Sequence, residues 1–382
     1  MNKTTWKRVK LGEVAEINPL ESIKKNTLAK KVSMDNLEPF NKKIYSFSME
    51  SFKGGSKFKN GDTLLARITP CLENGKTAFV DFLENNEIAF GSTEFIILRE
   101  KENISDKHFL YYLARSENFR ETAIKSMTGS SGRERVQIEV IRDYEFSLPP
   151  LETQHKIAEI LSSLDDKIDL LHRQNKTLES LSLTLFRHTF IDNPNRNEWQ
   201  IGKLGDYIEI FDNKRIPLSK LQRDKMKTGT LYPYYGAASI MDYINEFIFD
   251  DDYILMGEDG TVETENGYPI LQYASGKFWV NNHAHIFKAK APYNDFFILN
   301  FLKQTNISHI VTGAVQPKIN QENLKSIPFC KYPIELVSWF IETTNAYFDK
   351  INTNKKQIQN LESLRDIMLP KLLSGEIKSL NE

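Results

Sequence analysis

The residue types that do chemistry occur in this sequence, but their spacing does not assemble a reaction. A nucleotide-binding loop needs G-x-x-x-x-G-K-[ST], whose backbone amides and lysine cradle the phosphates, and no such segment occurs. A base-methylating site would show a glycine-rich cofactor turn and an Asp/Asn-Pro-Pro-aromatic tetrapeptide. Gly257-Glu258-Asp259-Gly260 is only a tight turn, and Pro149-Pro150 follows Leu148. Glu376-Ile377-Lys378 has the Glu-x-Lys of a metal-dependent nuclease, yet it sits in a terminal tail with no strand carboxylate ahead of it. His283 and His285 alternate along a predicted strand without a Cys or third His at ligand spacing, so they read as a surface or groove-facing pair. His155, His172 and His188 scatter around a predicted helix and read as solvated. Cys71 and Cys330 stand too far apart in sequence to suggest a Cys–His nucleophile, and two thiols build no disulfide scaffold. The expectation is a non-catalytic chain that itself holds no cofactor and no metal.

What remains is recognition. Residues 1–60 carry thirteen Lys/Arg against six Asp/Glu, and a second basic island runs through Lys214, Arg215, Lys220, Arg223, Lys225 and Lys227. Lysine and arginine attract phosphates, whereas Arg, Lys, Asn and Gln also read base edges in the major groove. Two loops of similar character stand in the two halves: Thr128-Gly129-Ser130-Ser131-Gly132-Arg133-Glu134-Arg135-Val136 and Thr312-Gly313-Ala314-Val315-Gln316-Pro317-Lys318-Ile319-Asn320. Glycine lets the backbone approach a partner closely, and hydrogen-bonding residues follow it. The candidate DNA contacts are Lys57, Arg67, Lys76, Arg133, Arg135, Lys214, Arg215, Gln316, Lys318 and Asn320.

The elements that must carry these loops come in duplicate. Trp6-Lys7-Arg8-Val9-Lys10-Leu11-Gly12-Glu13 returns as Trp199-Gln200-Ile201-Gly202-Lys203-Leu204-Gly205-Asp206, and both segments continue to a Glu-Ile pair, Glu16-Ile17 and Glu209-Ile210. Asp166-Lys167-Ile168 matches Asp349-Lys350-Ile351, and Leu178-Glu179-Ser180-Leu181 matches Leu361-Glu362-Ser363-Leu364. Such self-similarity predicts a tandem architecture. After each globular block comes a heptad seam. The first reads Ile157, Leu161, Leu164, Ile168, Leu171, Asn175, Leu178, Ser182, Leu185, and the second Phe340, Thr344, Tyr347, Ile351, Asn354, Ile358, Leu361, Arg365, Met368. A stripe this narrow suits a coiled coil, with Asn175 and Asn354 fixing its register. Strands are expected at Thr63–Ile68, Thr77–Phe82, Phe95–Leu98, Tyr253–Met256 and Ala284–Phe287, with short buried helices at Phe109–Leu113 and Phe296–Leu302.

The fold class is therefore α+β: two mixed α/β blocks in tandem, each followed by a long helix, the helices forming an antiparallel coiled coil about a pseudo-two-fold axis. Predicted boundaries are 1–150 and 192–333 for the recognition domains, 151–191 and 334–375 for the helices, and 376–382 for a tail. A length of 382 residues exceeds what one core usually serves. The absence of a signal-like or bilayer-length apolar run points to a cytoplasmic protein. Overall charge is −1, so DNA attraction must come from local basic surfaces.

These residues resemble the specificity subunit of type I restriction–modification systems. The likeness spans essentially the whole chain: the W-x3-K-L-G-[ED] start of each half, the loop at 312–320, Leu148-Pro149-Pro150-Leu151-Glu152-Thr153-Gln154-His155-Lys156-Ile157, and Leu369-Pro370-Lys371-Leu372-Leu373-Ser374-Gly375-Glu376-Ile377. The first loop departs from the family in having Gly132-Arg133-Glu134-Arg135 where Gln-Pro is frequent, and the second helix opens Ile334-Glu335-Leu336 rather than Pro-Leu-x-x-Gln. The resemblance implies two target recognition domains, each reading half of a split sequence in double-stranded DNA. It also implies helices that dock two methyltransferase subunits, with motor-nuclease subunits joining for restriction. S-adenosylmethionine, ATP and magnesium would then belong to those partners. The competing expectation is a stand-alone bivalent DNA-binding regulator without enzymatic partners.

Overall fold

The structure is a computed structural model that describes residues 6–313 and 315–377. Lys3, Ala314, Lys378 and the rest of the C-terminal tail lie outside the described residues. The chain forms two compact units, Met1–Arg173 with Lys355–Glu382, and Gln174–Asn354. The long helices Leu151–Phe186 and Ile334–Leu373 each contribute to both.

In the first unit an antiparallel four-stranded sheet runs in the order Ala15–Ile17, Phe95–Glu100, Thr63–Ala66, Thr77–Phe79. Thr63–Ala66 is buried throughout, because both of its faces are covered. Leu65 and Ile96 pack with Leu110, Leu113 and Phe119, while Leu64 and Ile97 pack with Val32 and Phe58. Coverage on both sides is why these strands read as unbroken apolar runs. A second sheet orders Ser48–Ser51, Leu28–Val32, Ala89–Gly91, Ser56–Phe58, its middle pair parallel. Lys7–Lys10 pairs antiparallel with Glu145–Leu148, bringing the two ends of the block together just before the first long helix.

The second unit repeats this plan. Its antiparallel sheet orders Ile208–Ile210, Ala284–Ala289, Tyr253–Gly257, Leu271–Ala274. The companion sheet orders Ile240–Ile244, Tyr232–Tyr235, Lys277–Val280, Phe249–Asp250, again with a parallel middle pair. Ile201–Lys203 and Pro328–Cys330 close the block. The predicted short helices also form, one cap residue before each. Asp106 accepts from the Phe109 amide at 2.8 Å to start Lys107–Arg115, and Asn294 from the Phe297 amide at 2.9 Å to start Asp295–Leu302.

Within each unit the long helices pair antiparallel. In the first, Leu161 clusters with Leu369 and Leu372, and Ile168 and Leu171 cluster with Ile358 and Leu361. In the second, Phe186 meets Phe340 with ring centroids 5.5 Å apart, and Asn354 donates to Asn175 at 2.8 Å. Both asparagines are buried, so a slipped register would leave two amides without their mutual bond. At three seam positions the buried residue is the one after the residue read from the sequence: Asp165, Phe186 and Leu369 in place of Leu164, Leu185 and Met368. Leu164 is only half-buried, and Asp165 takes the inward place. Its carboxylate accepts from Tyr112 Oη at 2.6 Å and Arg365 Nη1 at 2.7 Å, with Arg115 Nη1 3.8 Å away. Burial disfavours charge on Arg365, but Asp165 and Asp366 outweigh it and hold the guanidinium pKa above its usual value. Among the described residues no helix is long and apolar enough to cross a membrane.

Candidate nucleic-acid interface

Both recurring loops are hairpins mounted on the same strand end of their units. In the first, Thr128 and Arg135 pair by backbone bonds of 3.1 and 2.9 Å, and Arg135 also bridges Ile68, just beyond strand Thr63–Ala66. The Val136 amide then donates to the Arg67 carbonyl at 2.9 Å. In the second, Thr312 and Lys318 pair at 2.9 and 2.7 Å, Lys318 bridges Asp259, and the Ile319 amide donates to the Glu258 carbonyl at 2.8 Å. Arg135 and Lys318 are thus structural counterparts, as are Arg67 and Glu258. Glycine is required at the second turn: Gly313 has φ +89°, and a Cβ there would stand 2.2 Å from the Gln316 carbonyl oxygen.

The candidate contacts fall into three groups. Arg133, Lys214, Gln316 and Lys318 are exposed, and Lys214 Nζ lies over the Phe211 ring at 5.0 Å. Arg135, its side chain 42% exposed, is held by Glu94 through Nε at 3.0 Å and Nη2 at 2.7 Å. Lys57, half-buried on its strand, lies over Phe52 at 5.7 Å. The others are committed to the protein. Lys76 Nζ donates to the Met34 carbonyl at 2.9 Å. Arg67 Nη2 reaches the Val136 carbonyl at 3.4 Å. Asn320 caps the helix Gln321–Ser326 by accepting from the Asn323 amide at 2.7 Å. Arg215 is turned inward, only 12% exposed, with bonds to Glu258 at 2.5 Å and to the carbonyls of Ala284 at 2.7 Å and Asp212 at 3.1 Å.

Behind the second loop lies a charged group that the sequence reading missed. His285 is fully buried rather than groove-facing. Its Nδ1 meets Asp212 Oδ2 at 2.6 Å and its Nε2 donates to the Ile319 carbonyl at 2.8 Å, directly beneath the loop. Asp212 also accepts from the Ile286 amide at 2.8 Å and Gln321 Nε2 at 2.7 Å. Burial pushes the Asp212 carboxyl up, but His285, the Ile286 amide and Arg215 outweigh it and keep the pKa below the usual range. His283, by contrast, is partly exposed and bonds Asp259 at 2.5 Å. Asp212, Glu258 and His285 place ligand atoms within 4.8 Å of one another. The cation this cluster needs is already supplied by Arg215, 2.5 Å from Glu258 and 3.5 Å from Asp212.

Two hairpins on equivalent strand ends, in units of matching topology, are an architecture that can be compared with known proteins. The type I restriction modification DNA specificity domain matches twice, over residues 3–180 and 196–335. This chain belongs to that family. Among curated relatives, the MjaIX specificity subunit of a type I restriction enzyme from Methanocaldococcus jannaschii is 26% identical over 302 residues, covering 71% of this chain and 69% of the relative. The MjaX specificity subunit, assigned provisionally to the same class in the same organism, is 24% identical over 350 residues, covering 83% and 79%. A crystal structure of the S subunit of a type I restriction–modification system from M. genitalium superposes with a TM-score of 0.53 at 16% identity, covering 97% of each chain. That likeness is one of fold: two mixed α/β units in tandem with long paired helices. As a member of the family, the chain is a specificity component and not a catalytic one.

Proposed function

We propose that this chain is the sequence-specific DNA-binding subunit of a type I restriction–modification complex, each unit reading one half of a bipartite target. The observation that carries this is the matched mounting of the two hairpins, with exposed Arg133 beside Arg135 in one and Gln316 beside Lys318 in the other. Side chains on a braced hairpin can enter a major groove and meet base edges, while neighbouring lysines meet phosphates. In this reading the paired helices dock two methyltransferase subunits, and motor-nuclease subunits join for restriction. S-adenosylmethionine, ATP and magnesium are held by those partners, and the complex works in the cytoplasm.

Replacing Gln316 or Lys318 by Ala is expected to weaken recognition of one half-site, and replacing Arg133 or Arg135 that of the other. Where a base edge is contacted, the cost is about 1–3 kcal/mol with relaxed preference at that position. Binding to duplexes with one or other half-site scrambled measures this. Equal weakening on every sequence would mean phosphate contact instead. Co-purification separates the subunit reading from a stand-alone regulator: the subunit is recovered with the methyltransferase of its own system, the regulator alone.

A further inference from the structure

The two hairpins differ at their counterpart positions, where the first has the guanidinium of Arg135 and the second the ammonium of Lys318. Arg135 Nε lies 3.0 Å from both Glu94 oxygens, Nη2 lies 2.7 Å from Oε1, and Nη1 lies 3.2 Å from the Arg133 carbonyl. A guanidinium has five N–H donors in one plane. Glu94 occupies the edge formed by Nε and Nη2, and the Arg133 carbonyl takes one hydrogen of Nη1. One N–H therefore remains on each terminal nitrogen. Clamped at its side and braced by a backbone carbonyl, the group has little freedom to swing.

We propose that Glu94 fixes Arg135 as an end-on fork that reads a guanine in the half-site of the first unit. This rests on the DNA-reading function proposed above and names the base at one position. Guanine offers two neighbouring acceptors, O6 and N7, on its major-groove edge, whereas adenine puts a donor beside its N7. Two parallel donors at fixed spacing match the first pattern and clash with the second. Glu94 is a positioning residue: it bonds Arg135 and need not touch DNA.

The second unit cannot present the same fork from the equivalent place. Its counterpart residue is Lys318, whose ammonium lies 3.6 Å from Glu258, and an ammonium is a point donor without a planar edge. The guanidinium nearest to it in that carboxylate's ion pairs, Arg215, is turned inward and bonded to Glu258 and the Ala284 carbonyl. The first unit should accordingly show the sharper preference for guanine.

The test is selection of bound duplexes from a randomised DNA library by the full chain, alone and with its methyltransferase partner, comparing wild type with Arg135→Lys and Glu94→Gln. Wild type is expected to select a G·C pair at one position of one half-site. Arg135→Lys should lower the discrimination there by about ten- to a hundredfold. Glu94→Gln, which keeps the side-chain size but loses the charged clamp, should lower it less, at the same position only. Retained selection of the other half-site in the same molecules shows that the variants are folded. Unchanged preferences in both variants overturn the fork, as does uniform weakening on all sequences or an altered position that is not a G·C pair. Wild type that selects no sequence at all would instead defeat the DNA-reading function itself.

Discussion

Asp165→Ala is expected to destabilise the first unit by about 3–5 kcal/mol, the cost of removing one partner from a buried ion pair. Asp165 lies inside the helix seam of that unit, where it accepts from Arg365 and Tyr112 and faces Arg115. Both arginines are buried. Asp366 remains for them, at 3.0 Å from Arg365 Nε and 3.3 Å from Arg115 Nη2, but it is exposed and well solvated. Without Asp165, two guanidinium groups share that one exposed carboxylate, and the Tyr112 hydroxyl keeps only Ser162 Oγ, at 3.5 Å, as an acceptor. Asp165→Asn, which keeps the shape and an acceptor oxygen, should cost less. Urea unfolding of each variant measures the difference; a loss below about 1 kcal/mol for the alanine variant, typical of a surface pair, would show that the seam does not depend on this carboxylate.

The second large effect concerns DNA spacing. Inserting four helical residues beside Asn175, with a matching four beside Asn354, lengthens both helices by about 6 Å at 1.5 Å per residue. Matching insertions are needed because the seam is antiparallel and Asn175 must still face Asn354. If the helices set the distance between the reading units, the unread gap of the target grows by one or two base pairs while both half-sites stay the same. Sequencing of the sites methylated by the variant complex reads this directly. An unchanged gap, or new half-site sequences, would show that the helices are not the ruler.

Much of this architecture is legible in the sequence, for identifiable reasons. The Trp6 and Trp199 segments recur because both units pair an opening strand with a closing one, Lys7–Lys10 with Glu145–Leu148 and Ile201–Lys203 with Pro328–Cys330. Apolar runs such as Thr63–Ile68 announce strands covered on both faces, although the regular strand ends at Ala66, where the chain turns toward the loop. Asn175 and Asn354 stand out because a polar residue breaks an otherwise apolar heptad. Other features have no local signature. Asp165 looks like surface in Leu164-Asp165-Asp166 because its partners Tyr112 and Arg365 are 53 and 200 residues away. The spacing of His283 and His285 suggests one strand face, but the strand Ala284–Ala289 begins after His283, which lies in a turn, and His285 is held in the core by Asp212, 73 residues away, and Ile319, 34 away. Glu94 is separated from Arg135 by 41 residues and becomes visible only when the hairpin is laid against the neighbouring strand end.

The central claim is that two units of one chain each read half of a split DNA sequence. It is tested most directly by sequencing the duplexes that the wild-type chain, in complex with its methyltransferase partner, selects from a fully randomised library. The account predicts two short conserved blocks separated by an unread gap of fixed length. A single contiguous block, a gap of variable length, or no enrichment would contradict it.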